Sequence, residues 1–243
     1  MVNEMVSLTI QAGLKRFGLM PALDLDDLET AVRAVARVEG LHAICGFKVG
    51  FSLGLGYGLP EVVRRIRSVT AKPVIYDHQK GGTDIPETGA LFARAMKRAG
   101  VDAAILFPQA GPRTLAAWVG ALAAEGVGCI VGGVMTHPGY LHSEGGYLDD
   151  AAVEGIYSHA VEAGVRSFVL PLTRPDAAAR IVARSGIAAG WTCYSPGFGA
   201  QGGEPARFGF VSRHVLIVGR ALLSADDPAG YVNRVAEELA RTP

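Results

Sequence analysis

Val74-Ile-Tyr-Asp-His-Gln-Lys-Gly-Gly-Thr-Asp-Ile-Pro86 is the stretch on which the reading of the fold turns. It opens as an apolar, β-branched run and closes as a cluster of charges. Asp77, Lys80 and Asp84 fall within eight residues, with Gly81-Gly82 between the last two. A buried strand that ends in opposite charges, then glycines, then a proline at the next helix start, is the edge from which α/β proteins present side chains to ligands. A surface ion pair on a loop would look the same in isolation. The surrounding chain decides between the two.

Working outward, apolar runs alternate with helical periodicity in both directions. Residues 18–24, 43–50, 103–108, 128–135, 167–171, 187–193 and 215–219 read as strands, with the quoted stretch as the third of eight. Between them, Leu28, Val32, Val35, Ala36 and Val38 follow a helical period behind Asp26-Asp27, where carboxylates cap free N–H groups. Helices are also expected from Pro60 through Val69 and over 88–99, 115–125, 149–163, 175–185 and 228–241. Residues 3–15 read as a short amphipathic helix leading into the first strand. Eight βα units with short connections predict a (β/α)8 TIM barrel, one domain over residues 1–243 with 1–17 as its lead-in. An open doubly wound sheet would not need the eighth unit.

Composition limits the partners. Lys+Arg and Asp+Glu are equal at 23 each, so there is no basic footprint for nucleic acid or an anionic membrane. An anionic partner must then be a small ligand held by local groups. At 49% hydrophobic and 19% charged residues, the chain is globular rather than disordered. No uninterrupted apolar stretch approaches the roughly 18 residues of a membrane span, so a soluble, cytoplasmic protein is expected. Cys45, Cys129 and Cys193 are odd in number, far apart and set in apolar runs, as for small buried hydrophobes under reducing conditions. Trp118 and Trp191 read as packing residues. His78, His137 and His142 match no common zinc spacing, and no metal or other cofactor is expected.

In a barrel, the residues at strand C-terminal ends share one mouth. That mouth would gather Asp24, Lys48, Asp77, Lys80, Asp84, Thr136 and His137. Ser195-Pro-Gly-Phe-Gly-Ala-Gln-Gly-Gly203 adds a loop whose glycines let backbone N–H groups approach a ligand, with the Gln201 amide among them. Gly219-Arg220 follows the eighth strand with a forked donor suited to phosphate oxygens. Barrels often bind phosphate in the loops after strands seven and eight, so Pro196, Gln201, Gly202, Gly219 and Arg220 converge on one dianion.

These elements together resemble the orotidine 5′-phosphate decarboxylase family. The matching pieces are Ala22-Leu-Asp24, Phe47-Lys-Val-Gly50, the Asp/Lys/Asp-Ile-Pro segment, Met135-Thr-His-Pro-Gly139, the Pro196–Gly203 loop and Gly219-Arg220, all in family order. The resemblance implies a cofactor-free decarboxylase that converts orotidine 5′-phosphate to uridine 5′-phosphate in pyrimidine biosynthesis. It implies that Asp24 holds the ribose hydroxyls, that Lys48 bridges the ribose and the neighbouring carboxylate, that Asp77, Lys80 and Asp84 form an alternating charge network, and that Thr136 contacts the pyrimidine. Gln201 and Arg220 would grip the phosphate. Lys80 would protonate C6. It also implies a homodimer in which Asp84 and Thr88 serve the partner's site. One departure stands out: the common Asp-x-Lys-x-x-Asp is here Asp77-x-x-Lys80-x-x-x-Asp84, one residue longer in each gap. Strand alternation would turn Lys80 away, so a bulge is expected there.

Two other readings compete. A Mg²⁺-dependent sugar-phosphate decarboxylase or lyase of the same barrel superfamily would need further metal-ligating carboxylates. A catalytically idle nucleotide-binding barrel would follow if Lys80 were misplaced.

Overall fold

The computed structural model describes residues 16–78, 81–199 and 201–242. The expected lead-in helix over residues 3–15 lies outside them, as does Lys80. The elements run β1 (Phe17–Leu23), α1 (Leu28–Val38), β2 (Phe47–Val49), α2 (Phe51–Tyr57), α3 (Leu59–Arg67) and β3 (Val74–Asp77). They continue with α4 (Gly89–Ala99), β4 (Ala103–Leu106), α5 (Pro112–Ala124), β5 (Gly128–Gly132), α6 (Asp150–Glu162) and β6 (Ser167–Val169). Last come α7 (Pro175–Ser185), β7 (Thr192–Ser195), β8 (Arg213–Val218), α8 (Arg220–Leu223) and α9 (Pro228–Arg241). The eight strands are parallel and close on themselves, β8 pairing with β1. This is the expected (β/α)8 barrel.

Two apolar layers follow from strand alternation. Met20, Ile75, Ile105, Ile130, Val169 and Val215 fill the barrel interior. Their strand neighbours, such as Leu19, Val74, Leu106 and Leu216, pack outward against the helices. Aspartates start three of those helices. Asp27, Asp149 and Asp227 accept backbone N–H bonds from Thr30, Ala152 and Gly230 at 2.7, 2.8 and 2.9 Å.

Several boundaries differ from expectation for local reasons. Residues 187–193 do not form the seventh strand: Ala188, Ala189 and Gly190 are exposed, and Trp191 N–H closes a turn on Ala188. Pairing begins only at Thr192 and runs to Ser195. The fifth strand stops at Gly132 rather than continuing to Met135. Two short helices, α2 and α8, occupy stretches for which the sequence pattern predicts no element. Cys129 and Cys193 are buried and Cys45 is half-buried, all three free. Burial pushes each thiol up to about 12, so none is a nucleophile at neutral pH. Trp118 is buried against Phe92, and Trp191 stacks on Phe168. No helix among the described residues is long and apolar enough to cross a membrane.

His214, on β8, is fully buried between Phe17 and Phe208. Its Nε2 lies 2.7 Å from Ser195 Oγ, and Ser195 donates its one hydroxyl proton to Leu170 C=O at 2.6 Å. Ser195 can therefore only accept from His214, which fixes the neutral tautomer with the proton on Nε2. Nδ1 has no partner. Burial, then the Arg16 charge, push the imidazole down to about 3. Below the unfolded-state value near 6.5, the unfolded chain takes up a proton that the folded chain refuses, so stability falls as pH drops from about 6.5 to about 3. The expected share of this one residue between pH 7 and pH 5 is about 2 kcal/mol of urea-unfolding free energy. In His214→Gln the pH 7 to pH 5 difference should shrink by that amount. An unchanged difference would mean that the folded chain protonates His214 freely.

Candidate active site

Lys48 sits between Phe47 and Val49, both packed outward, so alternation turns it into the barrel. The register pairs Lys48 with Ala22 on one side and Ile75 on the other. Asp24 and Asp77 stand two residues further toward the C-terminal ends of those flanking strands. The long lysine stem climbs to them: Nζ donates to Asp77 Oδ2 at 2.8 Å and to Asp24 Oδ1 at 3.2 Å. Gly50 makes room for this group, because a Cβ there would lie 2.8 Å from Asp24 Oδ1.

The two arms are unequal. The Lys48 and Asp77 side chains are 8% and 9% exposed, whereas that of Asp24 is 58% exposed. Burial pulls the Lys48 ammonium down, but the charges of Asp77 and then Asp24 outweigh it and hold the group above its ordinary value. It stays charged at neutral pH. The other carboxylate oxygen of Asp77, Oδ1, is buried without a hydrogen-bond partner among the described residues.

A cavity of about 250 Å³ opens above this pair. It brings together Asp24, Lys48, Asp77, Thr136, Pro196, Gln201, Gly219 and Arg220, all singled out in the sequence. The loop after β7 is shaped by its glycines. Gly197, Gly199 and Gly202 have φ of +101°, +75° and +72°, and a Cβ on Gly203 would lie 2.3 Å from Leu172 Cβ. Gly202 itself does not line the cavity; its N–H donates to Gly199 C=O at 2.8 Å, closing the loop's turn. Gly219 caps α8 and sets Arg220 at the rim, exposed.

Asp84 and Thr88 lie elsewhere. Asp84 is exposed, its Oδ1 accepting from Ile85 N–H at 2.7 Å. The segment is held from behind, since Thr114 Oγ1 donates to Asp84 C=O and Trp118 Nε1 to Ile85 C=O, at 2.9 and 3.1 Å. Ile85 and Leu91 beside it are 57% and 61% exposed. The strand before Lys80 ends at Asp77, and Gly81 N–H then donates to His78 C=O. Position 80 is itself outside the described residues.

Some lining residues carry no sequence signal. Phe107, Val134, Val169 and Ile217 are apolar like any strand residue, and Tyr231 belongs to α9 without a motif. No group of three or more His, Cys, Asp or Glu side chains able to hold a metal ion occurs among the described residues.

Comparison with known proteins finds relatives over most of the chain. A family model described as Orotidine 5'-phosphate decarboxylase / HUMPS family matches residues 18–235. An orotidine 5'-phosphate decarboxylase of Methanosarcina mazei is 33% identical over 218 residues, which cover 90% of this chain and 93% of the relative. One from Methanococcoides burtonii is 33% identical over 225 residues, 93% of this chain and 98% of that one. The crystal structure of the orotidine 5'-monophosphate decarboxylase from Methanocaldococcus jannaschii, complexed with inhibitor BMP, matches with a TM-score of 0.78 at 26% identity. The match covers 91% of this chain and 98% of that one.

Proposed function

We propose that this chain, which belongs to the orotidine 5′-phosphate decarboxylase / HUMPS family, removes the C6 carboxylate of orotidine 5′-phosphate to give uridine 5′-phosphate and CO₂. The observation that carries this reading is a buried lysine–carboxylate pair facing a glycine–glutamine loop and an arginine across one cavity. One end suits a reacting centre that changes charge. The other suits a phosphate dianion.

When the C6 carboxylate departs as CO₂, the bonding electron pair remains on C6 as a poorly delocalised carbanion. A fixed ammonium beside C6 stabilises that pair and then gives it a proton. We assign this role to Lys80, with Asp77 beside the leaving carboxylate and orienting the ammonium. Asp77 Oδ1, without a partner among the described residues, supports the assignment, because it is an acceptor available to a second cation. Lys48 completes the network and, with Asp24, holds the ribose. Thr136 meets the pyrimidine. Gln201, Arg220 and the N–H groups of the loop bind the phosphate, and that remote binding energy lowers the barrier at C6. Asp84 and Thr88 are assigned to the partner's site in a homodimer. Their distance from their own cavity, on a braced segment flanked by exposed Ile85 and Leu91, fits that role.

The test is the fall in orotidine 5′-phosphate ultraviolet absorbance with purified protein in excess EDTA. Full turnover is expected without added metal. Turnover restored only by Mg²⁺, and on a sugar phosphate instead, would move the chain to the metal-dependent branch of the superfamily.

A further inference from the structure

We propose that Tyr157, on α6 and absent from the cavity wall, is a positioning residue for the pyrimidine end of the site. It acts through the backbone of residues 133–136, and the inference rests on the decarboxylase reading above.

The β5 ladder ends at Gly132, so Gly133 and Val134 are buried with no strand partner for their N–H groups. Both donate to the Tyr157 hydroxyl, at 2.9 and 3.1 Å. That hydroxyl donates its own proton to Val169 C=O at 2.9 Å. One oxygen thus uses both lone pairs and its proton to join the ends of β5 and β6. The ring is fully buried and lies close against Gly133, where an added Cβ would be 2.9 Å from Cε2. From another side, Tyr140 OH donates to Gly133 C=O at 2.7 Å while accepting from Gln109 Nε2 at 2.6 Å.

What these hydroxyls hold is the cavity wall: Val134, Met135, Thr136 and Val169 all line it. The anchor on Thr136 itself is loose, Thr173 Oγ1 donating to its carbonyl at 3.4 Å. Downstream, Arg174 Nη2 donates to His137 C=O at 2.6 Å; upstream, the short bonds that set its position are those at Gly133 and Val134. A phenylalanine at 157 leaves two buried N–H donors without an acceptor, and the segment must turn or take in water to satisfy them. Either response moves Thr136. The phosphate grip, built on β7 and β8, is not touched.

The test compares Tyr157→Phe with the wild-type chain by calorimetric titration with uridine 5′-phosphate and with ribose 5-phosphate. The Kd for uridine 5′-phosphate should rise about tenfold or more, that for ribose 5-phosphate by less than about twofold. In a Thr136→Val background the same tyrosine change should add less than about twofold, because the two residues act in series. Equal weakening of both ligands, no weakening of either, or a full additional loss in the Thr136→Val background would overturn the role. Should Tyr157→Phe fail to fold, Tyr140→Phe carries the comparison: from a half-buried ring it removes the bond to Gly133 C=O and the one accepted from exposed Gln109, and must show the same split between ligands. Wild-type turnover is read alongside. A chain that turns over orotidine 5′-phosphate but shows no split refutes Tyr157 alone, whereas one that neither turns over nor binds uridine 5′-phosphate refutes both.

Discussion

Lys80→Ala is expected to lower single-turnover decarboxylation by at least about 10⁴-fold, because on the proposed assignment it removes both the proton donor and the charge that stabilises the C6 carbanion. Each effect alone is worth about two to three powers of ten or more. Binding of uridine 5′-phosphate should change by less than about tenfold, since the proposed contacts from Asp24, Thr136, Gln201 and Arg220, which line the cavity, remain. A loss confined to kcat marks an interaction made only in the transition state. Lys80→Arg should fail to rescue: it restores a cation, but a guanidinium does not release its proton at neutral pH. Near-wild-type turnover in either variant would remove Lys80 from the role. The longer spacing around it is no obstacle in principle. The strand ends at Asp77, so its alternation of faces is set only up to that residue.

The parts of the site that were legible in the sequence are those governed by a simple period or by chemistry with few alternatives. Lys48 between two outward residues, and acids at the ends of flanking strands, follow from alternation once the barrel is recognised. The glycine–glutamine loop was legible because only glycine tolerates its positive φ values and close approaches. The rest depended on tertiary contacts. Phe51–Tyr57 folds as a helix despite Gly54 and Gly56, with Leu53 fully buried to anchor it and Gly54 against the Tyr76 ring. Strand seven slid to Thr192–Ser195 because its ladder starts where Thr192 N–H meets Arg166 C=O, a partner no local pattern reveals. Tyr157 and Tyr231 were invisible for the same reason. A tyrosine on a helix looks like packing until the backbone it touches is known.

Lys48→Met should destabilise the chain by about 3–5 kcal/mol, the cost of leaving one member of a buried ion pair without its partner. Methionine keeps most of the lysine's volume, so little of that loss would be cavity. Nearly all of it should come from Asp77, whose side chain is 9% exposed and 2.8 Å from the ammonium. Asp24, 58% exposed and 3.2 Å away, is solvated well enough to contribute at most about 1 kcal/mol. The double variant Lys48→Met/Asp77→Asn removes the stranded charge as well, and should recover most of the stability while remaining inactive. Urea unfolding of the wild type, the single variant and the double variant at one neutral pH measures all three. Recovery in the double variant would show that charge balance, not packing, is what Lys48 supplies to the folded state. If the single variant keeps its full stability, a second cation already neutralises Asp77. Given the open Oδ1 of that carboxylate, Lys80 is the residue to which that result would point.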